Sequence, residues 1–213
     1  MFSNKALKKL ILPLIIEQIL IMAVGVADTV MVSYAGEVAI SGVGLVDMFN
    51  NLIITVLAAI DAGGAIIVSQ YIGNKDRKNA NKASSQLLTI TIVIATVIML
   101  GCLVFHRILL STFFGAIEMD VMKAATTYFL ISAISFPFLG VYNSAAALYR
   151  SMEKTRTTMY VSILMNIINV VGNYIGVFIL HAGVAGVAVP TLISRIVAAI
   201  IMFALSLNSS NLV

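Results

Sequence analysis

Charged residues are scarce in this 213-residue chain. Asp, Glu, Lys and Arg together make up 10% of it, whereas hydrophobic residues make up 61%. A soluble domain has roughly 25% charged and 45–50% apolar residues, because polar groups must cover its surface. The composition therefore excludes a soluble globular fold and predicts a protein whose solvent is the lipid bilayer.

Cysteine is almost missing as well. The single residue of this type, Cys102, lies inside an apolar run. One thiol can form neither a disulfide framework nor a cysteine-based metal site. We interpret Cys102 as a small buried hydrophobic residue.

Long apolar segments dominate what is present. A transmembrane helix needs about 20 mostly apolar residues, and short polar connectors separate the segments of that length. The first is longer than the apolar core of a cleaved signal peptide, which has about 7–15 residues. We predict an all-α, polytopic membrane protein that forms one six-helix unit over residues 1–213. The predicted helices lie at about 8–33, 42–70, 86–106, 124–149, 157–180 and 184–207.

The basic residues predict the orientation of these helices. Cytoplasmic loops are enriched in Lys and Arg, so both termini are expected in the cytoplasm and the chain in the cell membrane. Only Arg107 and Lys123 then fall in external loops. Because the cations lie between apolar segments and not on a soluble face, the net charge of +4 does not indicate a nucleic-acid partner. The cytoplasmic set is Lys5, Lys8, Lys9, Lys75, Arg77, Lys78, Lys82, Arg150, Lys154 and Arg156.

Asp28 is the most informative residue of the first helix. It lies deep in the stretch IMAVGVADTVMVSYAG, with no basic residue near it in sequence. An ionisable side chain at membrane depth costs roughly 2.5–3.5 kcal/mol and usually marks an ion or substrate path. The alternative is a structural carboxylate that pairs with Arg195 or with an asparagine.

Polar side chains also share faces on other helices. Because successive helix residues rotate by about 100°, each set falls on one stripe. Asp47, Asn173 and Thr191 lie, like Asp28, roughly 8–10 Å from the predicted outer helix ends. One-sided polar stripes at matching depth imply a water-accessible pocket between helices. The alternatives are hydrogen bonding between helices for the asparagines and a solvated position for Asp47. The sets are Asp47, Asn50, Asn51 and Asp61; Asn166, Asn169 and Asn173; and Thr191, Ser194 and Arg195.

Two further features concern the backbone. Pro13 removes a backbone hydrogen bond, so it is either a hinge within the first helix or a proline at its start. Gly172 and Gly176 have the spacing typical of close helix packing.

Several stretches, in this order, resemble the N-terminal half of a multidrug and toxic compound extrusion (MATE) transporter. They are LPLIIEQILIMAVGVADTVMVSYAGEVAISGVG, VSQYIGNKDRKNANKA, YRSMEKTRTTM, MNIINVVGNYIGVF and GVAGVAVPTLISR. The resemblance covers essentially the whole chain. It implies one lobe of a twelve-helix transporter, so the chain end after the sixth helix suggests a truncation or a domain edge.

The resemblance also implies roles for particular residues. Asp28 matches the essential carboxylate of the family's first helix, Asn169, Asn173 and Thr191 match its partners, and Pro13 matches the proline at which that helix bends. Some members carry Asp where Asn173 stands, and Asp61 is unusual at its position.

The function implied is antiport, not enzymatic catalysis. A cationic or amphipathic compound would be exported in exchange for a proton or for sodium, which Asp28, Asn169 and Asn173 would bind. Asp47 and Asn50 are further candidates for cation or substrate binding, and we expect no cofactor. The expected partners are membrane lipid and either the missing C-terminal lobe or a second copy of the chain.

Two rival functions remain open. A lipid-linked oligosaccharide flippase would need several cavity cations for a pyrophosphate, and the sequence offers only Arg195. A non-transporting fragment is the other alternative, since transport by such folds moves one repeat against another.

Overall fold

Six long helices account for nearly all of the chain. The structure, a computed structural model, describes the backbone of residues 4–207 and the side chains of residues 10–207. Each helix is long and apolar enough to cross a membrane, and the described residues contain no strand. The all-α, six-helix prediction is therefore confirmed. The helices are α1 (Asn4–Tyr34), α2 (Glu37–Gly73), α3 (Arg77–Phe114), α4 (Met119–Ser151), α5 (Thr155–Tyr174) and α6 (Ala185–Leu207).

The predicted bounds of the first four helices were too narrow, and most clearly so for the third helix. It was placed at about 86–106, whereas α3 runs from Arg77 to Phe114. Its first turns are polar, so hydropathy does not reveal them. Asp76 begins the helix by accepting a hydrogen bond from the backbone N–H of Asn79 at 3.1 Å, which satisfies a donor that the first turn leaves free.

The second and fourth helices, placed at about 42–70 and 124–149, likewise extend further, to Glu37–Gly73 and Met119–Ser151. The first, placed at about 8–33, begins at Asn4. The sixth, placed at 184–207, agrees within one residue. The length of an apolar run indicates only the membrane-embedded part of a helix. Helical turns beyond that run are therefore missed when bounds are predicted from hydropathy.

The fifth helix was predicted as one element over about 157–180, but α5 ends at Tyr174 and continues as a π-helical segment, Ile175–Ile179. This segment lies against the start of α6. A Cβ added to Gly176 would come within 3 Å of the Gly186 backbone, so the two backbones approach as closely as glycine allows. The close packing predicted from the glycine spacing is confirmed.

The α4 helix lies at the centre of the bundle. It packs against α2, α3 and α6, and Phe129 and Phe136 are fully enclosed in its core. The α1 helix instead packs chiefly on α5 and makes little contact with α2. Both α1 and α2 line the cavity described next.

Candidate cation and substrate site

A cavity of about 780 Å³ lies between α1, α2, α4, α5 and α6. Along α2 its wall extends from Asp47 to Ser69, and along α1 from Asp28 back to Glu17. At about 1.5 Å per residue these stretches correspond to roughly 33 and 17 Å. The cavity therefore passes through much of the membrane depth and is lined by polar groups at two levels.

Asp28 is the centre of the first level. Its Oδ1 atom accepts a hydrogen bond from Asn173 Nδ2 at 2.7 Å. The same amide nitrogen lies 3.3 Å from Asn169 Oδ1, and Asn169 Nδ2 lies 2.9 Å from Thr191 Oγ1. Three helices thus contribute to one hydrogen-bonded group, and the structure brings together the four residues that depth and spacing had grouped.

The amide of Asn169 has two orientations with different consequences. In one, its oxygen faces the Asp28 carboxylate; turned by 180°, its nitrogen donates to Asp28 Oδ1 at 3.0 Å and to Oδ2 at 3.2 Å, and its oxygen accepts from Thr191 Oγ1 at 2.9 Å. The turned orientation suits an ionised Asp28, because the carboxylate oxygens then face the N–H groups of the Asn169 amide.

Asp47 and Asn50 form a separate group at the same level. Asp47 Oδ1 accepts from the Tyr128 hydroxyl at 3.1 Å and from Asn50 Nδ2 at 3.4 Å. The Oδ1 atom of Asn50 is buried without a hydrogen-bond partner. Both side chains line the cavity with Asp28, but no hydrogen bond joins the two groups among the side chains of residues 10–207. Tyr128, Ser135 and Tyr142 have heptad spacing on the fourth helix, but Tyr128 was not among the predicted site residues.

Arg195 does not pair with a carboxylate. Its Nη1 atom donates to Ser135 Oγ at 2.6 Å, and within residues 10–207 no carboxylate oxygen lies within 4.0 Å of its guanidinium. The alternative in which Arg195 is the direct ion-pair partner of Asp28 is therefore wrong. Its charge acts on Asp28 and Asp47 only from a distance.

A second level lies nearer the opposite end of the helices. Glu17, only 2% exposed, accepts from Arg150 Nη2 at 3.0 Å. Asp61, 3% exposed, accepts from Thr91 Oγ1 at 2.9 Å. Glu17, Arg150 and Asp61 all line the cavity, so Arg195 is not its only cation. The Glu17–Arg150 pair was not predicted, because the two residues are far apart in sequence.

Pro13 is buried in the interior of α1. Because the helix begins at Asn4, the alternative that Pro13 starts the helix is wrong. Its ring removes one backbone hydrogen bond from the helix, and its role as a hinge stays a prediction.

The groups around Asp28 are the amides of Asn169 and Asn173 and the hydroxyl of Thr191. Within the described residues no cluster of three or more His, Cys, Asp or Glu could hold a metal ion. A transition-metal centre is thus not indicated by residues 4–207.

Comparison with known proteins agrees with this architecture. A family model described as MatE matches residues 13–175. The chain is 30% identical to the uncharacterized transporter YisQ of Bacillus subtilis, over 94% of this chain and 47% of the relative. It is also 30% identical to a probable multidrug resistance protein NorM of Thermotoga maritima, over 92% of this chain and 43% of that protein. The chain thus spans about half the length of the curated relatives it matches.

Solved structures show the same fold. A transporter of the MOP superfamily from Pyrococcus furiosus superposes with a TM-score of 0.86 at 23% identity, over 93% of this chain and 43% of the other. An outward-facing multidrug resistance MATE family transporter gives 0.86 at 23% identity, over 93% and 44%.

Proposed function

Because the chain belongs to the MatE family, we propose that it is the N-terminal half of a cation-coupled exporter of cationic or amphipathic compounds. The proposal includes the cell membrane as its location and both termini in the cytoplasm. The observation that carries it is the hydrogen-bonded convergence of Asp28, Asn169, Asn173 and Thr191, of which Asp28, Asn169 and Thr191 line the cavity and Asn173 lies buried behind Asp28.

The coupling ion would act at Asp28. Its carboxylate can take up a proton, or it can bind sodium together with the amide oxygen of Asn169 when that oxygen faces it. Asn173 Nδ2 holds one carboxylate oxygen in place. Loading with either ion neutralises Asp28, so the attraction for a cationic substrate in the same cavity falls. Exchange follows, since ion and substrate compete for one negative charge.

Asp47 and Asn50 would extend the binding surface. Tyr128 orients the Asp47 carboxylate, and the free Oδ1 of Asn50 offers an acceptor to a substrate N–H group. A bend of α1 at Pro13 would change the shape of the cavity, because α1 forms one side of it and packs little against α2.

The test is ethidium exchange by proteoliposomes that contain the purified chain, driven by either a sodium or a proton gradient. We expect exchange with one of the two gradients and at least tenfold slower exchange with Asp28→Asn, an isosteric change. Glu118→Gln is the matched control, because it removes an exposed carboxylate at the start of α4. Exchange by Asp28→Asn at the unchanged rate would remove Asp28 from the mechanism.

A chain that does not transport is the second candidate, because residues 4–207 form a single six-helix lobe. Alternating access needs a second lobe, which a second copy of the chain would supply. Light scattering in detergent separates the two readings. A dimer with exchange activity supports the exporter, whereas a monomer without exchange supports a chain that does not transport.

The flippase alternative is disfavoured by the cavity charges. Of the two arginines that line the cavity, Arg150 is paired with Glu17 and Arg195 binds Ser135. Neither forms part of a cluster that would hold a pyrophosphate.

A further inference from the structure

Asp61 has a charge that the exchange mechanism at Asp28 does not use. It lies fourteen residues beyond Asp47 on α2, so the two carboxylates are roughly 21 Å apart along the helix. Asp61 belongs to the same cavity but to its opposite end. It is therefore a separate point of interaction for anything that passes along the cavity.

The carboxylate of Asp61 is only half satisfied. Oδ1 accepts from Thr91, whereas Oδ2 is buried and has no hydrogen-bond partner. Asp61 forms no ion pair with any residue between 10 and 207. A structural role does not account for this arrangement, because a neutral amide would accept the Thr91 hydrogen bond equally well without the cost of a buried charge.

The neighbouring charges leave a negative excess. Arg150 is the cation near Asp61, but its guanidinium donates to Glu17. The second oxygen of Glu17 is also buried and unpartnered. Arg150 is therefore the only cation among residues 10–207 that acts on Asp61, and it is paired with Glu17, so within these residues Asp61 has no ion-pair partner.

The wall beside Asp61 is apolar and has small side chains. Ala58, Ala62 and Ala65 follow one stripe of α2 into the cavity, and Met165 of α5 contributes to the lining. Such a wall leaves room for a hydrophobic body, while buried unpaired acceptors next to it attract positive charge.

We propose that Asp61, with Glu17 and Arg150 beside it, forms a second binding site for organic cations. The negative charge of Asp61 attracts the charged group into this part of the cavity, and the apolar body lies along Ala58, Ala62 and Ala65. A substrate held there is separated from the coupling ion at Asp28, so both occupy the cavity together before exchange. This inference rests on the proposed export function for its biological meaning, but the binding site itself does not require transport.

The test is equilibrium dialysis of the detergent-solubilised chain against tetraphenylphosphonium, a permanent cation that releases no proton. Triphenylphosphine oxide is the neutral probe of related shape. We expect the wild type to prefer the cation, and Asp61→Asn to raise the Kd for the cation about tenfold while leaving the Kd for the neutral probe unchanged. Asp61→Glu restores cation binding, and Asp28→Asn retains it.

Glu153→Gln is the matched control, because Glu153 is an exposed carboxylate in the loop after α4, and it should leave both Kd values unchanged. A second variant tests the same site independently, in case Asp61→Asn does not fold. Ala62 faces the cavity with an exposed side chain, so Ala62→Lys places an ammonium beside Asp61 and should weaken cation binding to the same extent, whereas Ala62→Ser should not.

Equal affinity of the wild type for the two probes would overturn the inference, and so would unchanged cation binding by Ala62→Lys or Asp61→Asn. The outcome is distinguishable from failure of the proposed function. A chain that binds the cation through Asp61 but exchanges nothing refutes the exporter and leaves this site standing.

Discussion

The Nδ2 atom of Asn173 lies 2.7 Å from Oδ1 of Asp28, and this hydrogen bond joins α5 to α1. Asn173 is completely buried and does not line the cavity, whereas Asp28 does. Asn173 is therefore a positioning residue that holds the carboxylate from behind. It also fastens α1 to the helix against which α1 mainly packs.

Replacing Asn173 with Ala should destabilise the fold. Asp28 Oδ1 would lose its closest donor at a half-buried position, at a cost of about 1–3 kcal/mol, which corresponds to a fall of roughly 2–12 °C in the midpoint temperature of unfolding. A maleimide dye can measure this, because the chain has one cysteine and no tryptophan and Cys102 becomes reactive only when its buried site opens. Asn81→Ala, at an exposed position in the first turns of α3, is the control; equal midpoints for the two variants would contradict the assignment.

The Glu17–Arg150 pair predicts a characteristic double-mutant result. Arg150→Gln leaves a buried carboxylate without its cation and should lower the free energy of unfolding by about 1–3 kcal/mol, less than for a fully buried pair because the Arg150 side chain is 40% exposed. Adding Glu17→Gln should recover part of this loss. The unfolding midpoints of the wild type, the two single variants and the double variant, measured by dye reactivity, give the interaction energy of the pair. Strictly additive effects would show that the pair contributes no interaction energy.

Gly176→Ala tests the close approach of the π-helical segment to α6. The new Cβ would come within 3 Å of the Gly186 backbone, so the helices must separate, at about 1–3 kcal/mol. Gly101→Ala in α3 is a matched control, since no atom lies within 4 Å of its added Cβ. We expect Gly176→Ala to lower the midpoint temperature of unfolding, measured by dye reactivity, and Gly101→Ala to leave it unchanged or slightly higher. The reverse order would mean that the helices do not need this contact.

Pro13→Ala tests whether α1 bends during transport. The substitution restores a backbone donor in a helix interior, so the midpoint should stay the same or rise. Ethidium exchange should nevertheless become slower if a bend is required. Pro137→Ala makes the same backbone change in α4 and should leave exchange unaffected. Normal exchange by Pro13→Ala would remove the hinge from the mechanism.

The fold and the first polar level were predictable for a common reason. Both depend on periodicities that a single helix carries in its own sequence. Asn169 and Asn173 share a face because of their spacing, and depth follows from counting residues at a fixed rise. In a bilayer such polar groups must face other helices or water, so Asp28 and the amides were expected to meet.

The helix ends and the second polar level were harder to predict from the sequence. The first turns of α3 and the turn beyond the apolar core of α2 leave no hydropathy signal. Glu17 and Arg150 are 133 positions apart, and nothing local to either residue reveals the other. Glu17 is buried, and Arg150 reaches it from the end of α4.

The sequence by itself determined that the chain lies in a membrane as six helices, and it determined which face of each helix is polar, since rise and rotation are properties of one helix. Only the tertiary structure decided which polar faces meet. In the structure Asp28 accepts a hydrogen bond from Asn173 and does not pair with Arg195. Asp47 accepts one from Tyr128, and Asp61 accepts one from Thr91 while its other oxygen has no partner. Those choices depend on packing between helices distant in sequence, where the fit of side chains selects one partner among several that are chemically equivalent.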